Sequence, residues 1–154
     1  MYEPPPSRAR DVLAVINEIP RAFFRLAAIA EDLFADMGLG APERGTLRDL
    51  FIEGESSAPD LARRKAVSRQ AVQATLDGLA AKGLVRTEIN PRHKRSKLYL
   101  LTSAGIAACV EIQRREMTKI AGLVDGAGEA DFASAAAALA VMNDLLAKDL
   151  DARR

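Results

Sequence analysis

The spacing of apolar residues predicts a long helix near each end of the chain. After Asp11 the apolar positions recur three and four residues apart, which is the pattern of a helix with one apolar stripe. They are Val12, Ile16, Ile19, Phe23, Leu26, Ala30, Leu33 and Met37. A second helix, predicted over 129–150, has the same spacing in Phe132, Ala135, Leu139, Met142, Leu146 and Leu150. Both stripes suit helix–helix contact and indicate a dimerisation bundle built from the two ends of the chain.

Proline and glycine set the limits of the first helix. Pro20 lacks an N–H and clashes with the preceding turn, so we expect either a kink there or two helices, the second beginning with Pro20 in its first turn. Gly38 and Gly40 are expected to end the element. The Pro-rich residues 1–7 are expected to be disordered.

The middle of the chain predicts a helix–turn–helix. A helix over 42–53 and an extended connection at 56–58 precede a short helix over 59–65, which carries the small Ala62 at the position of close packing. Ser68 is a good N-cap for the next helix, which runs to about Lys82 and stops at Gly83. The core stripe of this helix is formed by Val72, Leu76 and Leu79.

The period of the apolar pattern then changes from helical to alternating. Residues 84–89 and 97–102 are strand-like and flank the basic linker 90–96, which predicts a β-hairpin with a long basic tip. A long helix follows to about Leu123, capped by Thr102 or Ser103. Its predicted apolar face consists of Ile106, Cys109, Gln113, Met117 and Ile120.

Composition excludes several classes of protein. Apolar residues make up 49% and charged residues 28% of the 154 residues, which is a globular balance rather than a disordered one. A single cysteine cannot form an internal disulfide, so nothing indicates secretion, and the N-terminus does not read as a signal peptide. No apolar run is long enough to cross a membrane. We therefore expect a soluble, cytoplasmic protein.

The net charge of +1 conceals a strong segregation of charge along the chain. Residues 63–97 hold ten basic and two acidic side chains, a balance of +8, whereas the remainder holds twelve basic and nineteen acidic ones, a balance of −7. A basic block inside an acidic frame can attract a polyanion locally while the molecule stays neutral.

The basic block coincides with the helix–turn–helix and the hairpin, which favours DNA binding over a merely solvated basic face. Arg69 can pair bidentately with guanine, Gln73 with adenine, and Ser68 with its helix N-terminus can hold a phosphate. The hairpin tip adds long cations for a minor groove or for phosphates. The candidate DNA contacts are Ser57, Arg64, Ser68, Arg69, Gln70, Gln73, Arg92, Lys94 and Arg95.

Two motifs carry a resemblance to the MarR family of winged helix–turn–helix regulators. One is the exit from the capped helix, Leu79-x-x-Lys82-Gly83-Leu84-Val85, and the other is the entry to the next helix, Leu101-Thr102-x-x-Gly105. The similarity covers about residues 11–150. It implies a mainly α fold with a small β-hairpin wing, an obligate homodimer, a pseudo-palindromic operator in double-stranded DNA, and a small-molecule or oxidant signal.

On this interpretation the chain is organised around a central DNA-binding domain. Residues 42–102 are the winged helix–turn–helix, while 8–41 and 103–152 form the helical dimerisation region. The wing departs from the family, which commonly begins the tip with Asp and carries a second Asp within it. Asn90 and His93 stand at those positions, so an internal Asp–Arg pair of the wing cannot form here.

Several residues suit either a functional or a purely structural role. Cys109 is either an oxidant sensor or a core residue, and its place on an apolar stripe favours the core. Two roles are open for a further set of residues, which either line a ligand pocket or belong to ordinary core packing. They are Phe23, Phe24, Phe34, Arg48 and Phe51. One histidine and one cysteine make a zinc site of the usual kind implausible, and we expect no cofactor.

The expected function is that of a regulator of transcription rather than an enzyme. The sequence contains no nucleophile elbow, no phosphate-cradling glycine loop and no plausible acid–base pair. The predicted protein is a dimeric, sequence-specific repressor released or modulated by a small molecule. The alternative is a winged-helix module that docks an acidic protein partner with its basic face.

Overall fold

The computed structural model describes residues 7–91, 93 and 96–153. Over these residues the chain is mainly helical with one small sheet, which confirms the predicted fold class. In chain order the elements are α1 (Ser7–Leu33), a 3-10 turn (Ala35–Met37), α2 (Ala41–Glu53), β1 (Ser56–Ser57), α3 (Ala58–Lys65), α4 (Arg69–Ala81), β2 (Val85–Ile89), β3 (Lys97–Leu101), α5 (Ser103–Val124) and α6 (Phe132–Ala152).

The chain divides into two compact units, Met1–Glu116 and Met117–Arg154. The hydrophobic core lies in the first unit, where α2, α3 and α4 pack against the sheet and the start of α5. The predicted stripe of α4 is confirmed, because Val72, Leu76 and Leu79 are all buried. None of the described helices combines the length and the apolar character that crossing a bilayer requires.

The helix–turn–helix is formed by α3 and α4. Ala62 is 4% exposed, as expected for a small residue where two helices meet. The turn closes through Ala66, which adopts a left-handed conformation (φ 53°), and through a bond from the Val67 N–H to the Ala62 carbonyl (3.2 Å). Ser68 then caps α4 by accepting the Ala71 N–H at 3.1 Å.

The sheet has three strands in the order β1-β3-β2, all antiparallel. The hairpin of β2 and β3 was predicted, but the segment predicted as an extended connection contains a two-residue strand, β1. Ser56 pairs with Tyr99 and Ser57 with Leu98. The strand β3 is therefore central, and it contacts both α2 and α3.

Of the two alternatives for the first helix, that of two separate helices is wrong. α1 is one continuous helix through Pro20, not two. No residue of α1 is buried, so the Ile16 carbonyl that Pro20 leaves without a donor can be hydrated. In α5 the core face is formed by Gly105, Cys109 and Ile112 and not by the predicted stripe, of which only Cys109 is buried.

Arg115 of α5 anchors the end of α1. Its guanidinium donates to the Leu33 carbonyl (3.1 Å) and to both carboxylate oxygens of Asp36, and it also bonds Glu111. Hydrogen bonds from Arg114 and Arg115 lower the pKa of Glu111 to about 2. The hydrogen bond from Arg115 likewise lowers the pKa of Asp36 below its ordinary value. Both carboxylates therefore stay charged at neutral pH and hold this clamp.

A tight junction connects α4, both long strands and α5. The Thr102 N–H donates to the Leu84 carbonyl (3.0 Å), its hydroxyl donates to the Gly83 carbonyl (2.7 Å), and the same hydroxyl oxygen accepts the Gly105 N–H (3.1 Å). A Cβ on Gly105 would lie 2.1 Å from the Leu84 carbonyl oxygen. We call Gly83, Leu84, Thr102 and Gly105 the junction; its residues all lie in the two motifs identified in the sequence.

The junction predicts opposite effects for two substitutions in the same helix. Gly105→Ala should destabilise the fold by about 3 kcal/mol or more, because the new methyl group overlaps a backbone oxygen that is held by Thr102. Gly122→Ala should stabilise it by about 0.5–1 kcal/mol, since nothing lies within 4 Å of the added Cβ and alanine favours helix. Urea unfolding of both variants checks this pair. Equal stability of the two variants would contradict the role given to the junction.

Candidate nucleic-acid interface

The predicted front of α4 is exposed at the start of the helix. Ser68 is its N-cap, and Arg69 and Gln70 in the first turn are both solvent-exposed. The free N–H groups of a helix N-terminus and its dipole favour an anion at this position. The local sequence produces this arrangement because the cap and the apolar back of the helix leave only the polar side outward.

The first turns of α3 and α4 and the start of β3 border an open cleft of about 560 Å³. Its lining contains three of the predicted DNA contacts, Arg69, Gln70 and Gln73. The other lining residues are Ala58, Pro59, Ser96, Lys97 and Tyr99. The structure therefore brings the front of α4 together with the base of the hairpin, as the helix–turn–helix interpretation requires.

Most of the described cations of the basic block are paired with acidic side chains and are not free positive charges. Seven of its ten cations lie among the described residues, and five of these have an acidic partner within 4 Å. The pairs are Arg63–Asp60, Arg64–Glu53, Lys65–Asp49, Lys82–Glu43 and Arg86–Glu88. Within the described part of the chain, Arg69 and Lys97 have no such partner, and both line the cleft.

The Lys82–Glu43 pair shows how firmly some of these cations are held. The ammonium group lies 2.7 and 2.8 Å from the two carboxylate oxygens and also donates to the Gly38 carbonyl. Burial alone would raise the pKa of Glu43, but the hydrogen bonds from Lys82 and from the Gly40 N–H outweigh it, so this pKa lies below its ordinary value. Lys82 thus ties α4 to α2 and is not a free positive charge.

Gln73 is connected to the sheet. Its Nε2 donates to the Tyr99 hydroxyl and to the Asp77 carboxylate, each at 2.8 Å. Tyr99 is 6% exposed and lies in the central strand β3. The position of the Gln73 side chain is therefore fixed from below by the sheet and from the same helix by Asp77.

The base of the wing is closed by Asn90, which is buried. Its Nδ2 donates to the Ser96 hydroxyl (3.1 Å), its Oδ1 accepts the His93 N–H (3.3 Å), and the Ser96 N–H donates to the His93 carbonyl (2.9 Å). An uncharged amide therefore takes the turn-closing place where the family commonly has Asp. The predicted contacts Arg92, Lys94 and Arg95 lie outside the described residues.

Two predicted contacts are engaged within the protein. Ser57 is 4% exposed, and its hydroxyl bonds Asp60 through both the N–H and the carboxylate, so it caps α3. The Arg64 guanidinium donates to the Ser56 hydroxyl at 2.7 Å and lies near Glu53. The candidate interface accordingly centres on α4 and the hairpin rather than on these two residues.

The five candidate ligand-pocket residues differ in their burial and in their contacts. Phe34 is a core residue whose ring contacts the buried Arg44 guanidinium at 5.0 Å, whereas Phe23 and Phe24 are exposed and touch each other. Arg48 pairs with Glu116, and Phe51 is 42% exposed. The structure thus places Phe34 in the hydrophobic core, and a ligand pocket lined by the other residues stays a prediction.

Cys109 is a core residue, as its apolar surroundings predicted. It is 6% exposed, and its Sγ lies 3.5 Å from the Leu47 carbonyl oxygen. Burial raises the pKa of the thiol, against a smaller opposing effect of Arg48. A thiol with a raised pKa is less often present as the reactive thiolate.

The structure adds Lys97 and Tyr99 to the candidate interface. Lys97 was counted in the basic block but was not named as a contact, and Tyr99 was interpreted only as a strand residue. Tyr99 is the one aromatic residue in an otherwise aliphatic strand, which is the signal that could have drawn attention to it. Its hydroxyl carries the link to Gln73 that the sequence pattern alone does not reveal.

Comparisons with known proteins agree with this geometry. Residues 46–96 match the model of the MarR family. No curated protein matches the chain. Among solved structures, a MarR family transcription regulator is 23% identical with a TM-score of 0.71, and the match covers 95% of each chain. That relative is described as a transcription regulator.

Two further structures concern DNA binding. A MarR variant from E. coli complexed with operator DNA is 21% identical with a TM-score of 0.67, covering 91% of this chain and 96% of the other. BpsR from Bordetella bronchiseptica, whose DNA binding is regulated by 6-hydroxynicotinic acid, is 22% identical with a TM-score of 0.66, covering 84% and 90%. At these identities the similarity establishes the fold.

The match over residues 46–96 spans most of α2 together with β1, α3, α4 and β2, and it includes the residues of α3 and α4 that border the cleft. The resemblance inferred from the two sequence motifs is therefore confirmed. Residues 46–96 thus match the MarR family model, and the described residues have the fold of MarR family transcription regulators.

Proposed function

We propose that the chain is a sequence-specific, dimeric DNA-binding protein that represses transcription. The observation that carries this proposal is the position of the free positive charge. Among the described cations of the basic block, Arg69 and Lys97 have no acidic partner, and both line the cleft beside the N-terminus of α4. Unpaired cations beside a helix N-terminus form an electrostatic site for phosphates. We place the protein in the cytoplasm, where its DNA would be.

In the proposed complex α4 enters a major groove. Arg69, Gln70 and Gln73 would face base edges, while the N-terminal N–H groups of α4 and Lys97 would contact phosphates. The hairpin 90–96 would lie beside the adjacent minor groove, with Arg92, Lys94 and Arg95 as contacts inferred from sequence. The E. coli MarR variant, which has the same fold, is complexed with operator DNA, and this supports DNA binding by the present chain.

Substitution of three cations on the proposed DNA face tests their separate roles. On a duplex from the DNA flanking the gene, Arg69→Ala should weaken discrimination at one base position by roughly 1–3 kcal/mol. Lys97→Ala should weaken binding to all sequences and lower the slope of log K against log salt by about 1, as should Arg95→Ala. Fluorescence anisotropy titrations at several salt concentrations measure both effects.

Arg86→Ala is the matched control for Lys97→Ala. Arg86 lies on the neighbouring strand, is also solvent-exposed, and is paired with Glu88. Removal of this paired cation should change the salt slope much less. Equal slopes for Arg86→Ala and Lys97→Ala would contradict the assignment of the unpaired cations to DNA.

The dimer is proposed from apolar surface that the described chain leaves uncovered. On α1 the side chains of Ile16, Ile19 and Phe23 are 42%, 39% and 63% exposed, and on α6 Leu146 and Leu150 are about half exposed. Contiguous exposed apolar surface on a soluble protein indicates a contact with another molecule. We propose that 8–41 and 103–152 form the dimerisation region and 42–102 the DNA-binding domain. Half-sites are then expected about 10 bp apart, centre to centre.

Charge substitutions on the two exposed apolar faces test this dimer. Phe23→Glu and Leu146→Glu should each shift the protein towards monomer, because an unpaired carboxylate buried against an apolar face is strongly unfavourable. Arg21→Glu and Lys148→Glu, at exposed polar positions of the same two helices, should leave the dimer intact. Sedimentation equilibrium measures the association constant. A wild-type protein that is monomeric at micromolar concentration would refute the proposal.

Repression and control by a small molecule complete the proposal. A dimer covering an operator near a promoter would block polymerase, and the DNA binding of the similarly folded BpsR is regulated by 6-hydroxynicotinic acid. In a transcription assay with the promoter of the gene, added protein should lower the amount of transcript. A rise in transcript would contradict repression. The same acid is the first compound to titrate against the protein–DNA complex.

A further inference from the structure

Gln73 is held by two acceptors at once. Its Nε2 lies 2.8 Å from the Tyr99 hydroxyl oxygen and 2.8 Å from Asp77 Oδ1. A primary amide nitrogen carries two N–H groups, so both of its donors are engaged. Tyr99 is buried in the central strand, where it pairs with Ser56 on one side and Thr87 on the other, and it cannot follow a moving glutamine.

Asp77 determines which end of the amide faces inward. An ionised carboxylate only accepts hydrogen bonds, so the end of the Gln73 amide beside Asp77 must be the NH₂ group. A tyrosine hydroxyl could either donate or accept and would not by itself decide between the two orientations. The pair of partners therefore fixes both the position and the direction of the amide.

The carbonyl oxygen of Gln73 is the polar atom left over. No described residue donates a hydrogen bond to this Oε1, whereas both donors of the same side chain are used. Gln73 is half-buried and lines the cleft together with Arg69 and Gln70. The side chain therefore offers an acceptor, without an accompanying donor, to a molecule bound in the cleft.

From this geometry we infer that Gln73 reads DNA through its carbonyl oxygen alone and selects a base with a major-groove amino group, adenine or cytosine. The inference rests on the proposed DNA binding. Adenine presents N6 and cytosine N4 as donors, whereas guanine and thymine present acceptors. This differs from the bidentate glutamine–adenine pairing expected from sequence, which needs a free N–H beside the carbonyl.

Bidentate pairing of Gln73 with adenine is disfavoured because it would break one of the two hydrogen bonds that Nε2 donates within the protein. To donate to adenine N7, Nε2 must release either the buried Tyr99 hydroxyl or the Asp77 carboxylate. It would exchange one hydrogen bond for another and gain nothing from the donor. Asp77 and Tyr99 are thus positioning residues, which act on base choice through Gln73 without touching DNA themselves.

The experiment uses the full-length protein and the duplex that it enriches from random double-stranded DNA. The relevant position is the one at which Gln73→Ala loses base preference. Four duplexes with A, C, G or T at this position are then titrated with wild-type protein. We expect A and C to bind within about threefold of each other, and both about three- to tenfold tighter than G and T, as one hydrogen bond allows.

A double variant, Asp77→Ala with Tyr99→Phe, releases the amide. The freed glutamine can now present its N–H and C=O together, so adenine should become favoured over cytosine by about tenfold. In the Gln73→Ala background the same two substitutions should leave the ratio of A to C unchanged. A ratio of affinities within one protein preparation is insensitive to partial unfolding, so a purely structural role for Asp77 and Tyr99 would not move it.

Three results would overturn the inference. They are a wild-type preference for adenine over cytosine of tenfold or more, equal binding of all four duplexes, and an unchanged ratio in the double variant. Failure of the proposed function has a different signature, because the wild-type protein would then enrich no preferred duplex from random DNA. In that event both the proposed DNA binding and the inferred readout by Gln73 are contradicted.

Discussion

The winged helix–turn–helix of this protein depends on one close approach, that of Gly105 to the Leu84 carbonyl. Thr102 binds the Gly83 and Leu84 carbonyls and caps α5, so the end of α4, both strands of the hairpin and the start of α5 meet at four residues. A side chain at Gly105 would overlap the Leu84 oxygen, and this explains the glycine of the second motif, whereas Gly83 in the first motif has a left-handed conformation (φ 71°) that favours glycine. The direction of α4 relative to the wing follows from this contact.

Fewer cations of the basic block are unpaired than the count of basic residues in the sequence indicates. Acids of α2, namely Glu43, Asp49 and Glu53, reach across to Lys82, Lys65 and Arg64 of the basic block. These exposed and half-exposed pairs position helices more than they stabilise them. Their consequence for function is that positive charge remains concentrated beside the cleft. The near-neutral total therefore limits loose, sequence-blind attraction while leaving a focused electropositive site.

Sequence reasoning worked best where structure is local. The cap at Ser68, the stripe Val72, Leu76 and Leu79, and the alternating hairpin strands all follow from neighbouring residues and were predicted. Other features depend on partners distant in sequence and were not: β1 exists only because Tyr99 and Leu98 lie beside it, and the face of α5 is set by its contact at Gly105. Gln73 was chosen correctly as a polar front residue, but its pairing with Tyr99 across 26 positions has no local signature.

Selection from random duplex DNA by the wild-type protein tests the central claim most directly. If the unpaired cations and the front of α4 form a DNA-reading face on a dimer, repeated rounds should enrich an inverted repeat with half-site centres about 10 bp apart. Binding to this repeat should persist at salt concentrations that release random sequence. Weak retention of all sequences alike, lost as salt rises, would contradict the claim and favour a module whose basic face docks an acidic protein.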